Sequence, residues 1–248
     1  MNLRLQGCTV LITGASAGIG AGMVRVFASQ GAKVIATARR TERLLALADQ
    51  VERQGAERPS VISADLTDAA QLSALAAQVG HCDILINAMG GARPTALDAS
   101  DAVWEEAFAL NFTPARRLTQ ALLPGMQAQG WGRIINLSGS MEPRNLNAAS
   151  AAKGAIHLWA KGLASDVAAQ GITVNTLQPG RINSEQICET LYPTEAARQA
   201  YSKQHIPMGY FGEPEDVAWL AAFLCSPQAH YITGTVIPVD GGMHYFAH

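Results

Sequence analysis

The chain has 248 residues, 48% of them hydrophobic and 15% charged, which supplies enough apolar surface for one large α/β core or two smaller ones. Eighteen Lys and Arg against 20 Asp and Glu leave a formal charge of −2, so nothing marks a nucleic-acid partner or an anionic membrane surface. Cys8, Cys82, Cys188 and Cys225 are widely spaced with no histidines at zinc spacing, Met1 runs straight into the first strand, and no stretch of about 18 apolar residues occurs; a soluble, unprocessed cytoplasmic protein with reduced thiols and no metal is expected.

Residues 8–13 read as a buried strand, short and apolar as parallel strands are. The strand runs into Thr13-Gly14-Ala15-Ser16-Ala17-Gly18-Ile19-Gly20 and out into a helix over residues 20–30 that stops at Gly31. At such a turn Gly14, Gly18 and Gly20 let the backbone take positive φ and approach a ligand closely. The helix then aims its unpaired N–H groups at an anion such as a pyrophosphate. The spacing is not the G-x-G-x-x-G fingerprint, since Met23 holds the third glycine position; a turn that only needs flexible residues is the alternative. Residues 33–38 form the next strand and complete a βαβ unit as long as a dinucleotide half-site. This strand closes on Ala38 and is followed by Arg39 and Arg40, where an NAD site usually carries an acid and where an arginine accommodates a 2′-phosphate. The reading is NADP(H) in preference to NAD, with Arg39 the main phosphate contact. Alternatively, both arginines are solvated residues opening the helix over residues 41–54.

The string Thr-Gly-Ala-Ser-x-Gly-Ile-Gly resembles the cofactor turn of the short-chain dehydrogenase/reductase family, and with Asn87, Gly90, Ile232-Thr233-Gly234 and Val239-Asp240-Gly241-Gly242 the likeness covers nearly the whole chain. It implies one domain over residues 1–248, a Rossmann-like α/β fold whose doubly wound parallel sheet has about seven strands, with helices on both faces and ligand at the carboxyl ends. The remaining strands are expected at 60–64, 83–86, 133–137, 172–177 and 235–239, with helices after the N-cap Asp68 and at 100–129, 148–171 and 213–225. The resemblance implies cofactor contacts from Gly14, Ser16, Gly18, Ile19 and Gly20 of the turn, Asp65 and Leu66 at the adenine, and Asn87 and Gly90 after the fourth strand. It implies further contacts from Lys153 and from Pro179, Gly180 and Ile182 beside the nicotinamide. Ala88 stands where the family pattern has a second asparagine. Asn111 costs propensity in mid-helix; in the family such an asparagine opens the helix and holds a relay water, and a plain exposed asparagine is the alternative.

Family members carry a catalytic serine after the fifth strand and a Tyr-x-x-x-Lys pair on the next helix, where i, i+4 spacing stacks phenol and ammonium on one face. Here Lys153 is in place, but the tyrosine position is Ala149, and a methyl group donates no proton. The serine position falls on Gly139, between Ser138 and Ser140. The resemblance leaves Asn111, Lys153 and either Ser138 or Ser140 as the catalytic set. One explanation is a divergent oxidoreductase whose proton comes from Ser138, Ser140, Glu142, Ser150, Tyr192, Tyr201 or a water on Lys153. A second is a silent NADP(H)-binding or partner protein. A third, a single substitution at Ala149, sits badly with the short loop at 141–147 and the changes at Ala88 and Gly139. His157, one turn past Lys153, reads either as a relay member or as a packed core or interface residue.

Residues 184–211 are too long for an ordinary connection and contain Tyr192, Tyr201 and Tyr210, so a mobile lid over a partly apolar substrate is expected. The expected function is NADP(H)-dependent interconversion of an alcohol and a carbonyl on a small substrate. Family members commonly assemble through two long helices, which here begin at Asp101 and Ala148, so a homotetramer or dimer is expected.

Overall fold

The computed structural model describes residues 2–91, 95–143 and 145–246. Strands β1 (Thr9–Thr13), β2 (Lys33–Ala38), β3 (Ser60–Ser63), β4 (Ile84–Asn87), β5 (Gly132–Leu137), β6 (Ile172–Pro179) and β7 (Val236–Val239) form one parallel sheet in the order β3-β2-β1-β4-β5-β6-β7. The expected α/β architecture with seven strands is therefore the one observed. The chain winds outward from β1 to β3, then crosses back to place β4 on the other side of β1. That reversal opens a crevice above the carboxyl ends of β1 and β4, which is where ligands enter such sheets.

Strands buried on both faces alternate their side chains between two cores. Val10 and Ile12 of β1 join Ile86 and Ile135 under helices α1 (Gly18–Ser29) and α8 (Pro214–Cys225), with Phe27, Val217 and Ala221 filling that layer. Leu11, Leu85 and Ile134 turn to the opposite face, where α3 (Ala69–Val79), α5 (Thr113–Gln129) and α6 (Ala148–Val167) supply Leu72, Leu118, Leu122 and Ala160. Helix α2 (Thr41–Arg53) lies on the first face beside β2 and β3, packing Leu44, Leu47 and Val51. Caps fix the helix starts. The Asp68 carboxylate accepts the N–H groups of Ala70 at 2.7 Å and Gln71 at 3.2 Å, as its N-cap reading requires, while Glu213 and Asp216 form a reciprocal capping box with Pro214 in the first turn.

Several expected elements need correction: the first helix starts at Gly18, two residues ahead of its expected start. The single helix over 100–129 is two, α4 (Asp101–Asn111) and α5, because Phe112 leaves helical geometry with φ −121° and ψ −53°. The helix over 148–171 ends at Val167 in a 3₁₀ turn, Ala168–Gln170, and Gly171 (φ 74°) reverses the chain into β6. The sixth strand runs on to Pro179, two residues beyond its expected end. Residues 184–211 are folded, with a π-helical turn over Gln186–Leu191 and helix α7 (Glu195–His205). The four cysteines are free, and burial pushes the Cys82 thiol up to about 12. Among the described residues no helix is long and apolar enough to cross a membrane.

Candidate active site

A cavity of about 560 Å³ occupies the crevice, within the range of small-molecule and cofactor sites. At one end lies the glycine turn. Gly14 has φ +64°, and a Cβ there would sit 2.8 Å from the carbonyl oxygen of Ala88. A Cβ on Gly20 would fall 2.3 Å from the carbonyl oxygen of Gly14. Only glycine allows the turn to close this tightly. Thr13 locks it to the neighbouring strand end, its hydroxyl accepting the N–H groups of Ala88 at 3.0 Å and Met89 at 3.1 Å. Helix α1 starts directly behind, with Ala17 as its N-cap, no side-chain cap and no acid in its first turn. Its first-turn N–H groups therefore have no side-chain acceptor and suit an anionic ligand.

Arg39 and Arg40 form the rim beyond the turn. Arg40 donates to the Ser16 hydroxyl at 3.2 Å and pairs with Glu185 at 3.0 Å, and Arg43 pairs with the same carboxylate. Those bonds, the one from Arg43 foremost, lower the Glu185 pKa from its ordinary value. Arg39, by contrast, leaves 71% of its side chain exposed and, among the described residues, pairs with Asp65 alone, at 3.9 Å. It is the less committed guanidinium.

The other end of the cavity gathers Asn111, Ser138, Ala149 and Lys153. Asn111 sits at the break between α4 and α5, its amide donating to the Ala107 carbonyl at 2.9 Å while its oxygen accepts the Gly91 N–H at 3.0 Å. It ties the loop after β4 to the helix. Ala149 is buried, and Lys153 lies one turn further along α6. A Cβ on Gly139 would come within 3.3 Å of Lys153 Cδ and 3.8 Å of Nζ, so the lysine leans over that glycine. Burial pushes the Lys153 ammonium below the ordinary lysine range. Ser138, 5% exposed, follows β5 directly; its hydroxyl lies 2.7 Å from Nε2 of His157 and 3.2 Å from the Leu177 carbonyl.

The family model described as enoyl-(acyl carrier protein) reductase matches residues 14–244. The chain belongs to the short-chain dehydrogenase/reductase family. It is 36% identical to galactitol 2-dehydrogenase (L-tagatose-forming) of Cereibacter sphaeroides, over 96% of each chain. Its fold superposes with a TM-score of 0.94 on an L-sorbose reductase of Gluconobacter frateurii solved with NADPH and L-sorbose, at 29% identity, covering 99% of this chain and 100% of that one. A 7α-hydroxysteroid dehydrogenase solved with NADH and 7-oxo glycochenodeoxycholic acid gives a TM-score of 0.90 at 31% identity, covering 100% of this chain and 98% of that one.

Of the residues that the family resemblance picks out, Gly14, Ser16, Gly18, Ile19, Gly20, Arg39, Leu66, Gly90, Asn111, Ser138, Lys153 and Pro179 line the one cavity. The others do not. Asp65 faces outward, its carboxylate taken by the hydroxyl and N–H of Thr67 at 2.7 and 3.0 Å. Asn87 turns inward, donating to Asn136 at 2.9 Å and Thr119 at 3.3 Å. Gly180 abuts Asp240, and Ile182 is buried beside Gly212. Ser140 accepts the Glu142 N–H at 3.1 Å, away from the cavity, so the structure separates the two candidate serines.

The other donor candidates are also occupied elsewhere. The Glu142 carboxylate accepts the N–H groups of Tyr245 and Phe246. Ser150 lies outside the lining, and Tyr192, Tyr201 and Phe211 pack on one another with ring centroids 4.9 to 5.8 Å apart beneath the Arg181 guanidinium. Among the described lining residues there is no tyrosine. Sequence reasoning missed the part played by α4, whose Val103, Glu106, Ala107 and Leu110 form one wall. Their spacing along one helix was the available signal.

Proposed function

We propose that the protein interconverts an alcohol and a carbonyl on a small, partly apolar substrate, using NADP(H) and a proton donor other than the family's tyrosine. The observation that carries this reading is the cavity joining an uncapped helix N-terminus and a largely exposed arginine at one end to a buried amine at the other. Gly14, Ser16, Gly18, Ile19 and Gly20 would hold the pyrophosphate, and Leu66 and the backbone beside Asp65 the adenine. Arg39, with Arg40, would take the 2′-phosphate. Lys153 makes no hydrogen bond to a described side chain or backbone group, and a ribose hydroxyl would satisfy it. Asn87 acts from behind the loop that carries Gly90, while Pro179 would border the nicotinamide end with Gly180 and Ile182 packed behind it.

When bound, the cofactor supplies the hydride. The protein's own share is to orient the carbonyl, exclude water and move one proton. Lys153, with its raised acidity, polarises the ribose end, and Asn111 fixes the loop against which the substrate rests. Met89, Val103 and Leu110 give the substrate end its apolar walls. The relatives that act on galactitol and L-sorbose support a polyol or its ketose as the first class to try. Residues 184–211 leave after β6 and return ahead of α8 at neighbouring points, tied through Asn183 N–H to the Gly212 carbonyl at 2.8 Å and Gly212 N–H to the Arg181 carbonyl at 2.9 Å, which supports a lid hinged at that point.

A second reading keeps the cofactor and drops the reaction. Ala149, in the place of the family's tyrosine, favours it. Calorimetry with NADPH and NADH, followed by a turnover screen over sugar alcohols, ketoses, short ketones and aldehydes, separates the two. The enzyme reading expects NADPH to bind more tightly than NADH and at least one carbonyl to be reduced. Tight NADPH binding without any turnover supports the silent protein.

A further inference from the structure

Among the described residues two hydroxyls lie at the reactive end of the cavity: that of Thr95, which accepts the Ala148 N–H at 2.9 Å, and that of Ser138, which has a titratable partner that the family pattern does not assign. We propose that Ser138 is the proton donor to the substrate oxygen and that His157 is the base behind it, exchanging a proton with Ser138 in each turnover. The inference rests on the oxidoreductase reading above.

The geometry has three parts. First, Ser138 is held on a fixed strand end, its own N–H bonded to the Leu177 carbonyl at 2.9 Å and its hydroxyl donating to the same carbonyl at 3.2 Å, a bond it exchanges for the substrate oxygen. Second, the 2.7 Å contact to His157 Nε2 is a direct hydrogen bond and lies within proton-transfer reach. Third, His157 is one helical turn from Lys153, so imidazole and amine lie on the same face of α6, the imidazole on Ser138 and the amine in the cavity that Ser138 also lines.

The proton count closes. In carbonyl reduction the hydride comes from the nicotinamide cofactor, the substrate oxygen takes the Ser138 proton, and imidazolium Nε2–H returns one to the serine, leaving neutral imidazole. In alcohol oxidation each transfer reverses: neutral Nε2 accepts the serine proton as Ser138 accepts the substrate's. Solvent resets the ring, which is only half-buried.

The ionisable groups around the imidazole are few. On α6 Lys153 stands one turn before it and Lys161, whose amine lies against Gly234, one turn after; Lys153 and Glu106 of α4 line the cavity, β6 carries no titratable side chain, and Arg133 lies at the opposite end of β5, bonded to the Gly132 and Gly171 carbonyls. Glu142 on the following loop is turned to the C-terminal segment. Burial lowers the His157 pKa from its ordinary value of about 6.5. Oxidation therefore rises with pH through a midpoint below that value and then levels, and reduction falls over the same interval.

The test uses the full chain with NADPH and L-sorbose for reduction, and NADP with galactitol for oxidation, or the substrate pair found by the turnover screen. His157→Gln and Ser138→Ala are each expected to lower kcat by about 10²–10⁴-fold, the usual worth of a positioned proton-transfer group, with KM and NADPH affinity little changed. His157→Gln removes the acidic limb of the pH profile, and added imidazole restores part of the rate to His157→Ala. Independently of turnover, nitrogen NMR of the histidine rings should show the His157 Nε2 signal and its titration midpoint moving in Ser138→Ala. Unchanged kcat and pH profile in His157→Gln, or a His157 signal blind to Ser138→Ala, overturns the relay. A wild-type protein that binds NADPH but turns over nothing overturns the oxidoreductase reading itself, and the relay with it.

Discussion

The two ends of the cavity stand in contrast. At the glycine turn, backbone and sequence agree at every position tested by a steric argument: Gly14 and Gly20 are the residues that the close approach demands, and α1 presents bare N–H groups. At the far end the amine of Lys153 and the amide of Asn111 remain, but the helix offers Ala149 beside them, and Ser138 at the strand end is backed by an imidazole. Holding a cofactor and moving a proton are separable contributions. A chain can keep the first while rebuilding the second.

That contrast can be broken at either end. The largest effect is expected from Lys153→Ala, which should cut kcat/KM by about 10²–10⁴-fold in steady-state assays, because it removes the amine that orients the reacting end. Gly20→Ala should reduce NADPH affinity by about 10–100-fold in calorimetry, since overpacking costs about 1–3 kcal/mol and the new methyl would meet the Gly14 carbonyl at 2.3 Å. Ala149→Tyr sharpens the comparison from the other side. It should raise ketone reduction by about tenfold or more and make the enzyme less dependent on His157, as a second positioned acid would; a folded, cofactor-binding variant without gain would mean that the substrate wall has changed too. Arg39→Ala should weaken NADPH by about tenfold, the worth of one charge-assisted hydrogen bond, and leave NADH alone. The smallest effect concerns stability. Because burial depresses the His157 pKa, the unfolded chain takes up that proton first, so stability is full above about pH 6.5 and declines as pH falls through that value. His157→Gln should flatten that decline in thermal unfolding scans.

Much of this was legible in the sequence, for identifiable reasons. Short apolar strands, the turn Thr13 to Gly20 and the Asp68 cap are local signals, written in neighbouring residues. Helix α7 was not legible: it buries only Ser202 and has no apolar stripe, so periodicity carries nothing. The break at Phe112 hid inside a continuous helical pattern, and only the cost of a mid-helix asparagine hinted at it. Tyr192 and Tyr201 looked like substrate contacts because composition cannot tell a cavity wall from a self-packed cluster. The pairing of Ser138 with His157 joins residues 19 apart across a strand end and a helix, a juxtaposition that only the fold creates.

The most direct measurement is a single-turnover experiment: protein loaded with NADPH is mixed with excess carbonyl substrate, and the nicotinamide absorbance is followed in wild type and in Ser138→Ala. The account predicts rapid loss of the reduced-cofactor signal in wild type and a decay slowed about 100-fold or more in the variant, from the same amount of bound NADPH. Decay at the same rate in both proteins would contradict it, as would bound NADPH that no carbonyl in the panel oxidises.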